Sequence, residues 1–400
     1  MTTRDLPEAT APDAGRPRFT TAWMLVAAGL ALVLSGCKKG TPLDMDNLAP
    51  FDKLYSQEEI KRGFSNLSTT PFGREDLALS LLVPNDWRDI PLKVPRAQVE
   101  NPEGDFVPLT RQQAPEGRDG HASIEVRYIK VPLEVDLSDW VTFYLEGAGL
   151  KPLLRRPGVY NGRSVDEAVV RVLQMGKDDY VARFTFSRHG DKIFLVAGSA
   201  LADFYNENAR IFGLAAVSFT PKAPAEEFAE PMTLFVNPGP PHLEFRYPES
   251  WDKKEPEGLP PGKVGVDILL VAEEKTVGFI HVKAVLKSPT DDPAIIQKKL
   301  RGDFEKAGVT VGERLRAADL DPKQDAPLAK IEVFKASQGG TPGELAVLVY
   351  QNTTAYYALG ALMPDRKGNP LAWMTTWRVF EIAAADILAR SVQRKADLVP

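Results

Sequence analysis

One four-residue landmark occurs twice in this chain. Leu243, Phe245 and Tyr247 alternate with Glu244 and Arg246 and stop at Pro248, Glu249, Ser250, Trp251, repeating Pro84, Asn85, Asp86, Trp87 at a distance of 164 residues. Other landmarks recur in the same order. Glu305, Lys306, Ala307, Gly308, Val309 answer Glu146, Gly147, Ala148, Gly149, Leu150, and each run puts a glycine where a helix stops. A chain that repeats itself in this way reads as two copies of one domain of about 150 residues, an ordinary size for a single core.

The elements between the landmarks are mostly strands. In the first copy Leu77, Leu79, Leu81 and Val83 alternate with Ala78, Ser80 and Leu82, the period of a half-buried strand. Residues 96 to 120 read as a turn-rich excursion, and Ile124, Val126 and Tyr128 begin the next strand. The period then changes: Ser138 is placed to cap a helix carrying Trp140, Val141, Tyr144 and Leu145. Strands at 165–173, 180–186 and 193–197 and a helix over 201–215 complete a βββαβββα order. The second copy predicts strands at 243–247, 265–272, 276–286, 329–335, 345–350 and 356–363. Its first helix enters through Asp292 and Pro293, a favoured cap and first-turn pair, and its last runs from about Thr375 to Val392. Between the copies lies a proline-rich linker, in which Thr233 to Val236 reads as an edge strand.

The front of the chain is of another kind. An apolar run of 16 residues, Phe19 to Leu34, follows Arg16 and Arg18 and ends in Leu34, Ser35, Gly36, Cys37. It is short of the roughly 20 residues that a helix needs to cross a bilayer and has the layout of a secretory signal. With Cys37 the only cysteine, the four residues resemble the lipobox of bacterial lipoprotein precursors. That resemblance implies cleavage before Cys37, a diacylglyceryl group on its thiol and acylation of the new amine, enough to hold a body stably at a membrane. The competing reading is an uncleaved signal anchor with Cys37 a bystander. Lys38, where an aspartate favours inner-membrane retention, implies sorting to the outer membrane of a Gram-negative cell, with the body facing the periplasm.

The element order, taken with this context, resembles the PsbP-like superfold shared by PsbP and by DcrB-type and LpqN-type lipoproteins. The resemblance implies an α+β fold of tandem αβα sandwich domains, each an antiparallel sheet covered by helices on both faces. It brings no catalytic residues with it. The expected division is a signal peptide over 1–36, a tether over 37–75, domain 1 over 76–221, a linker over 222–239 and domain 2 over 240–395. Within the tether, Ser56 and Glu59 have the spacing of a capping box on a short helix.

Composition narrows the function classes. A net charge of −5 with 26% charged residues gives no basic footprint for nucleic acid. Once Cys37 is committed to lipid, no internal disulfide is available. Ser250 and Lys253 have the spacing of a penicillin-binding serine–lysine pair, but Ser250 leaves a strand rather than opening a helix, no Ser-Asp-Asn or Lys-Thr-Gly element accompanies it, and its counterpart Asp86 is not a serine. His121, His189, His242 and His281 fall in separate elements without metal-ligand spacing, so only a site assembled from distant segments is open to them. Asp178 with Asp179, Glu273 with Glu274, and Asp291 with Asp292 read as turn and cap pairs. Lys151, Arg155 and Arg156, and again Lys298, Lys299 and Arg301, form basic clusters that are either solvated faces or contacts for anionic head groups or glycan phosphates. Trp373, Trp377 and Phe380 read as packing for the final helix.

No catalytic, cofactor or metal residue is therefore assigned. The leading expectation is a non-enzymatic module, tethered by lipid, that binds or scaffolds another envelope protein. The alternative is an enzyme or small-ligand carrier with its site in the cleft between the two domains.

Overall fold

The computed structural model describes residues 43–48, 55–100, 102, 104–115, 121–173, 179–319 and 330–393. Leu34, Ser35, Gly36, Cys37 and the apolar run before them lie outside the described residues, as does Asp178. Among the described residues no helix is long and apolar enough to cross a membrane.

The class is α+β, with two sandwich-like domains built on seven-stranded antiparallel sheets. In domain 1 the strands are β3 (Arg88–Asp89), β4 (Val107–Gln113), β5 (Ser123–Lys130), β6 (Pro152–Tyr160), β7 (Arg163–Leu173), β8 (Asp179–His189) and β9 (Lys192–Leu201). Their order across the sheet is β3-β4-β5-β9-β8-β7-β6. In domain 2 β13 (Asp252–Lys254), β14 (Lys263–Ala272), β15 (Lys275–Leu286), β16 (Val309–Asp319), β17 (Lys330–Gln338), β18 (Thr341–Gln351) and β19 (Ala355–Pro364) follow the same order, β13-β14-β15-β19-β18-β17-β16.

Each sheet is covered on both faces. Alternate residues of β9 divide the work: Ile193 and Leu195 meet Trp140, Val141 and Tyr144 of α3 (Leu137–Gly147), while Phe194 and Val196 meet Tyr205, Phe212 and Ala215 of α4 (Ala202–Ser218). In domain 2, Ile296, Leu300 and Phe304 of α5 (Pro293–Lys306) cover the face carrying Leu345 and Val347. The opposite face, carrying Ala346 and Leu348, lies in one cluster with Trp373, Trp377 and Phe380 of α6 (Pro370–Ile387). This alternation is the period-2 rule acting in every strand.

A small sheet packs outside each C-terminal helix. β2 (Leu79–Pro84) lies between β1 (Phe64–Thr69) and β10 (Thr220–Pro221), and β12 (Leu243–Pro248) pairs with β11 (Met232–Asn237). The two landmark strands have the same burial pattern, and each proline pairs with the first residue of its neighbour, Pro84 with Phe64 and Pro248 with Met232. Both landmark tryptophans are buried, Trp87 in one core and Trp251 in the other.

Several expectations need correction. The short helix expected after Ser56 is present as α1 (Gln57–Gly63), with the Ser56–Glu59 capping box formed, but the stretch expected as a tether also carries β1, which pairs with β2. A lone β2 edge would leave a row of backbone groups unpaired, so the chain before it is drawn into the sheet. Residues 96 to 120 hold α2 (Arg96–Glu100) and β4 as well as turns, and two further strands, β6 and β16, follow the α3 and α5 helices. Asp136 caps α3 in place of Ser138, its carboxylate accepting from the Ser138 and Asp139 amides at 2.8 and 3.1 Å. The α6 helix starts at Pro370, capped by Asn369.

Candidate functional site

The place between the domains is filled. A single hydrophobic cluster runs from Phe106, Trp140 and Tyr144 in domain 1 to Trp251, Trp373 and Trp377 in domain 2. Phe106 meets Trp140 and Tyr144 edge-on, and Trp373 stacks on Trp377 at 5.9 Å with 2° between the planes. Arg366 lies over the Trp373 ring and Arg316 over the Trp377 ring, at 4.5 and 5.9 Å. Trp373 Nε1 donates to Glu344 and Trp377 Nε1 to Glu381.

Charged groups tie this seam together, and Glu134 is their hub. Its side chain is 1% exposed and receives both Nη atoms of Arg188, at 2.6 and 2.7 Å, from the end of β8. It also accepts the Ala229 amide of the linker at 2.8 Å and stands 3.9 Å from Arg378 of α6. One carboxylate thus touches domain 1, the linker and domain 2. Nearby, Asp139 in the first turn of α3 faces Arg366 at 3.8 Å.

Burial raises the carboxyls of three seam acids. It pushes the Glu381 carboxyl up to about 7, Arg378 opposing and Asp136 adding to the rise. Asp139 is raised by burial and by Asp136, against Arg366, Arg155 and Arg316. Glu230 in the linker is raised by burial as well.

Two half-open cavities lie away from the seam. One, of about 410 Å³, is lined by Asp76, His189, Lys192, Lys222 and Glu226 where the linker leaves domain 1. The other, of about 420 Å³, sits at one end of the second sheet beside Phe279, Gly343, Leu362 and Asn369. In the first, Lys192 and Asp76 are 3.4 Å apart and the His189 ring contacts the Ala223 carbonyl at 3.0 Å, so its charges are largely engaged with one another.

The residues singled out by sequence fall apart in space. Lys253 Nζ bonds Glu255 at 2.7 Å, and Ser250 sits in the turn after β12. Among the described residues no group of three or more His, Cys, Asp or Glu side chains is placed to hold a metal ion. Arg155 is no part of a solvated patch: it pairs with Asp166 at 2.7 Å and bonds Ser138 and Thr142, fastening β6 to α3. Arg156 pairs with Glu167, Lys299 with Asp291, and Arg301 lies over Phe334. Asp179 pairs with Arg171, Asp292 caps α5, and Glu273 and Glu274 form the positive-φ turn between β14 and β15. That turn sets Asp267 opposite His281, whose Nδ1 lies 2.6 Å from the carboxylate. Counting outward from the Glu273–Glu274 turn would have set Asp267 opposite Ile280, because a register shift between Leu270 and Val271 moves the pairing by one residue. Glu134 did have a signal, an acid set alone among Val131, Leu133 and Val135.

These features define a class: an α+β protein of two sandwich-like domains joined through a filled, ion-paired seam. No protein-family model and no curated relative matches the chain. Among solved structures it is similar to cyanobacterial PsbP (CyanoP) from Synechocystis sp. PCC 6803, at 14% identity over 40% of this chain and 92% of that one, with a TM-score of 0.29. A Pseudomonas aeruginosa protein of unknown function matches at 13% identity over 40% and 99%, TM-score 0.28. The T6SS immunity protein TplEi from the same organism matches at 13% identity over 68% and 96%, TM-score 0.19. Likenesses of this strength concern fold alone and carry no argument about activity or partners.

Proposed function

We propose that the chain is a lipid-anchored envelope protein of the PsbP-like kind, two copies of one ancestral domain acting together as a non-enzymatic binding or scaffolding module. The observation that carries the second half of this reading is the filled seam. A site in a cleft between the domains would need open space where Trp140, Trp373 and Trp377 are 5%, 3% and 9% exposed. The anchor reading rests on Leu34, Ser35, Gly36 and Cys37 and on the apolar run before them. It has a geometric consequence. Leu43 and Leu48 already pack on the domain 1 core, so the five residues that separate Cys37 from Leu43 span at most about 22 Å. The body then stands close against the membrane, within reach of a partner in the same bilayer.

The test is made in a Gram-negative host with the full chain. Palmitate labelling and membrane fractionation are expected for the native chain and absent from Cys37→Ala, which stays uncleaved; label on the variant would overturn the anchor. Crosslinking in cells followed by mass spectrometry is expected to recover an envelope protein with the native chain. A tightly held small molecule found by native mass spectrometry would instead favour a carrier.

A further inference from the structure

The seam between the domains brings acids together with cations that are already shared. Glu381 leaves 28% of its side chain exposed, accepts the Trp377 indole N–H at 2.9 Å and meets Arg378 Nη1 only at 3.5 Å. That guanidinium is also drawn towards Glu134. Across the seam Asp136, at the cap of α3, adds a like charge felt by Glu381.

The other charged groups packed about this point do not relieve it. From the loop before α3 comes Glu134, held by Arg188 of β8. From α3 comes Asp139, faced by Arg366 of the loop before α6. From β16 comes Arg316, which lies over Trp377 and is taken by Glu344 at 2.8 Å. From β6 comes Arg155, taken by Asp166, and from the linker comes Glu230, close enough to feel Glu134.

We infer that the seam is an acid-favoured latch: with Glu381 protonated the domains stay closed on each other, and its ionisation loosens them by setting a poorly paired carboxylate opposite Asp136. The direction follows from linkage. A carboxyl whose folded value stands at about 7 against an ordinary 4.5 binds its proton more tightly in the closed state. Its contribution to closure is complete below the ordinary value and is lost as pH rises through 7. Asp139 and Glu230, raised by burial in the same sense, act in the same direction. Loosening brings Trp373 and Trp377 to water, so the latch governs whether that aromatic surface is offered to a partner. The inference stands apart from the anchor reading.

Hydrogen exchange of the full chain between pH 5.5 and 8.5, corrected for intrinsic rates, reads the latch directly. Protection of the α3 and α6 amides is expected to fall with a slope approaching about tenfold per unit between pH 5.5 and about 7 and to level off above it, as one linked proton requires. The α5 amides, on the far face of the second sheet, serve as the internal standard and stay flat. Glu381→Gln is expected to lose most of that fall, leaving only the smaller part that Asp139 and Glu230 contribute. Asp136→Asn, which removes the like charge and keeps a capping side chain, is expected to move the midpoint to lower pH. Flat protection in the native chain, an unchanged fall in Glu381→Gln, or an unmoved midpoint in Asp136→Asn would each overturn the latch.

Discussion

Replacing Glu134 by leucine is expected to cost about 4 kcal/mol, far more than an exposed ion pair is worth. The native side chain is 1% exposed, and Arg188, its bidentate partner, has only 18% of its side chain in solvent. Leucine leaves that guanidinium with the carbonyls of Val135 and Gly190, at 2.6 and 3.1 Å, and no counter-charge. Breaking a buried pair from one side costs about 3–5 kcal/mol, and the lower end applies because Arg188 keeps some water. The stranded Ala229 amide adds about 1 kcal/mol. Removing both charges in Glu134→Leu with Arg188→Leu leaves no unpaired cation, so the double variant is expected to be less damaged than the sum of the singles by about 2 kcal/mol. Urea unfolding followed by tryptophan fluorescence gives these values, with the slope checked for a second transition since two domains are present. A single variant within about 1 kcal/mol of native, or a double variant equal to the sum, would refute the account of Glu134 as the hub of the seam.

Three further outcomes follow from the packing and charge of the domains themselves. A β-carbon at Gly198 would fall within the Phe212 ring of α4, and one at Gly360 within the Phe304 ring of α5, so each Gly→Ala change is expected to cost about 1–3 kcal/mol by overpacking in thermal or urea unfolding. Gly302→Ala, in the middle of α5 with open space around it, is expected to stabilise by about 0.5–1 kcal/mol in the same assay. Burial by itself would raise the Glu125 carboxyl, but Arg127 and Arg111, each at 2.7 Å, outweigh it and hold the group below the ordinary carboxylate range. Its stabilisation is therefore whole above the ordinary value and lost as pH falls below it, and Glu125→Gln is expected to flatten the acid limb of the stability curve.

Where a strand is buried and lies inside a sheet, the sequence displays it. β5, β8, β15 and β19 all alternate or run apolar, and each lies between two neighbours. β6 and β16 do not advertise themselves, for a physical reason that is the same in both copies. Each is the outermost strand of its sheet. β6 contains Pro152 and Pro157, β16 slips register twice, and both present mixed polar residues that discourage pairing with another chain. β4 is hidden by Pro108 and by a register shift before Thr110. The α6 start at Asn369–Pro370 has the same cap and first-turn chemistry as Asp292–Pro293 and was open to the same reasoning. The seam pairs were not: Glu134 and Arg378 are far apart in the chain, and no local pattern links them.

The composition of one helix nonetheless anticipates the seam. α4 and α6 occupy matching places, each between a seven-stranded sheet and a small sheet carrying the proline–tryptophan landmark. α4 buries eight of its 17 residues, whereas α6 buries thirteen of 18, among them two tryptophans, a phenylalanine and both Thr375 and Thr376. A helix buried almost all round needs a neighbour on every side, and two sheets supply only two. The third neighbour is domain 1, through α3. Within that wall Arg378 and Glu381 are half-buried charged groups spaced one turn apart, and they lie where the helix meets Glu134 and Asp136. A buried stripe broken at one point by an acid and a base is what a domain contact requires if it is to be held closed yet remain able to respond to charge.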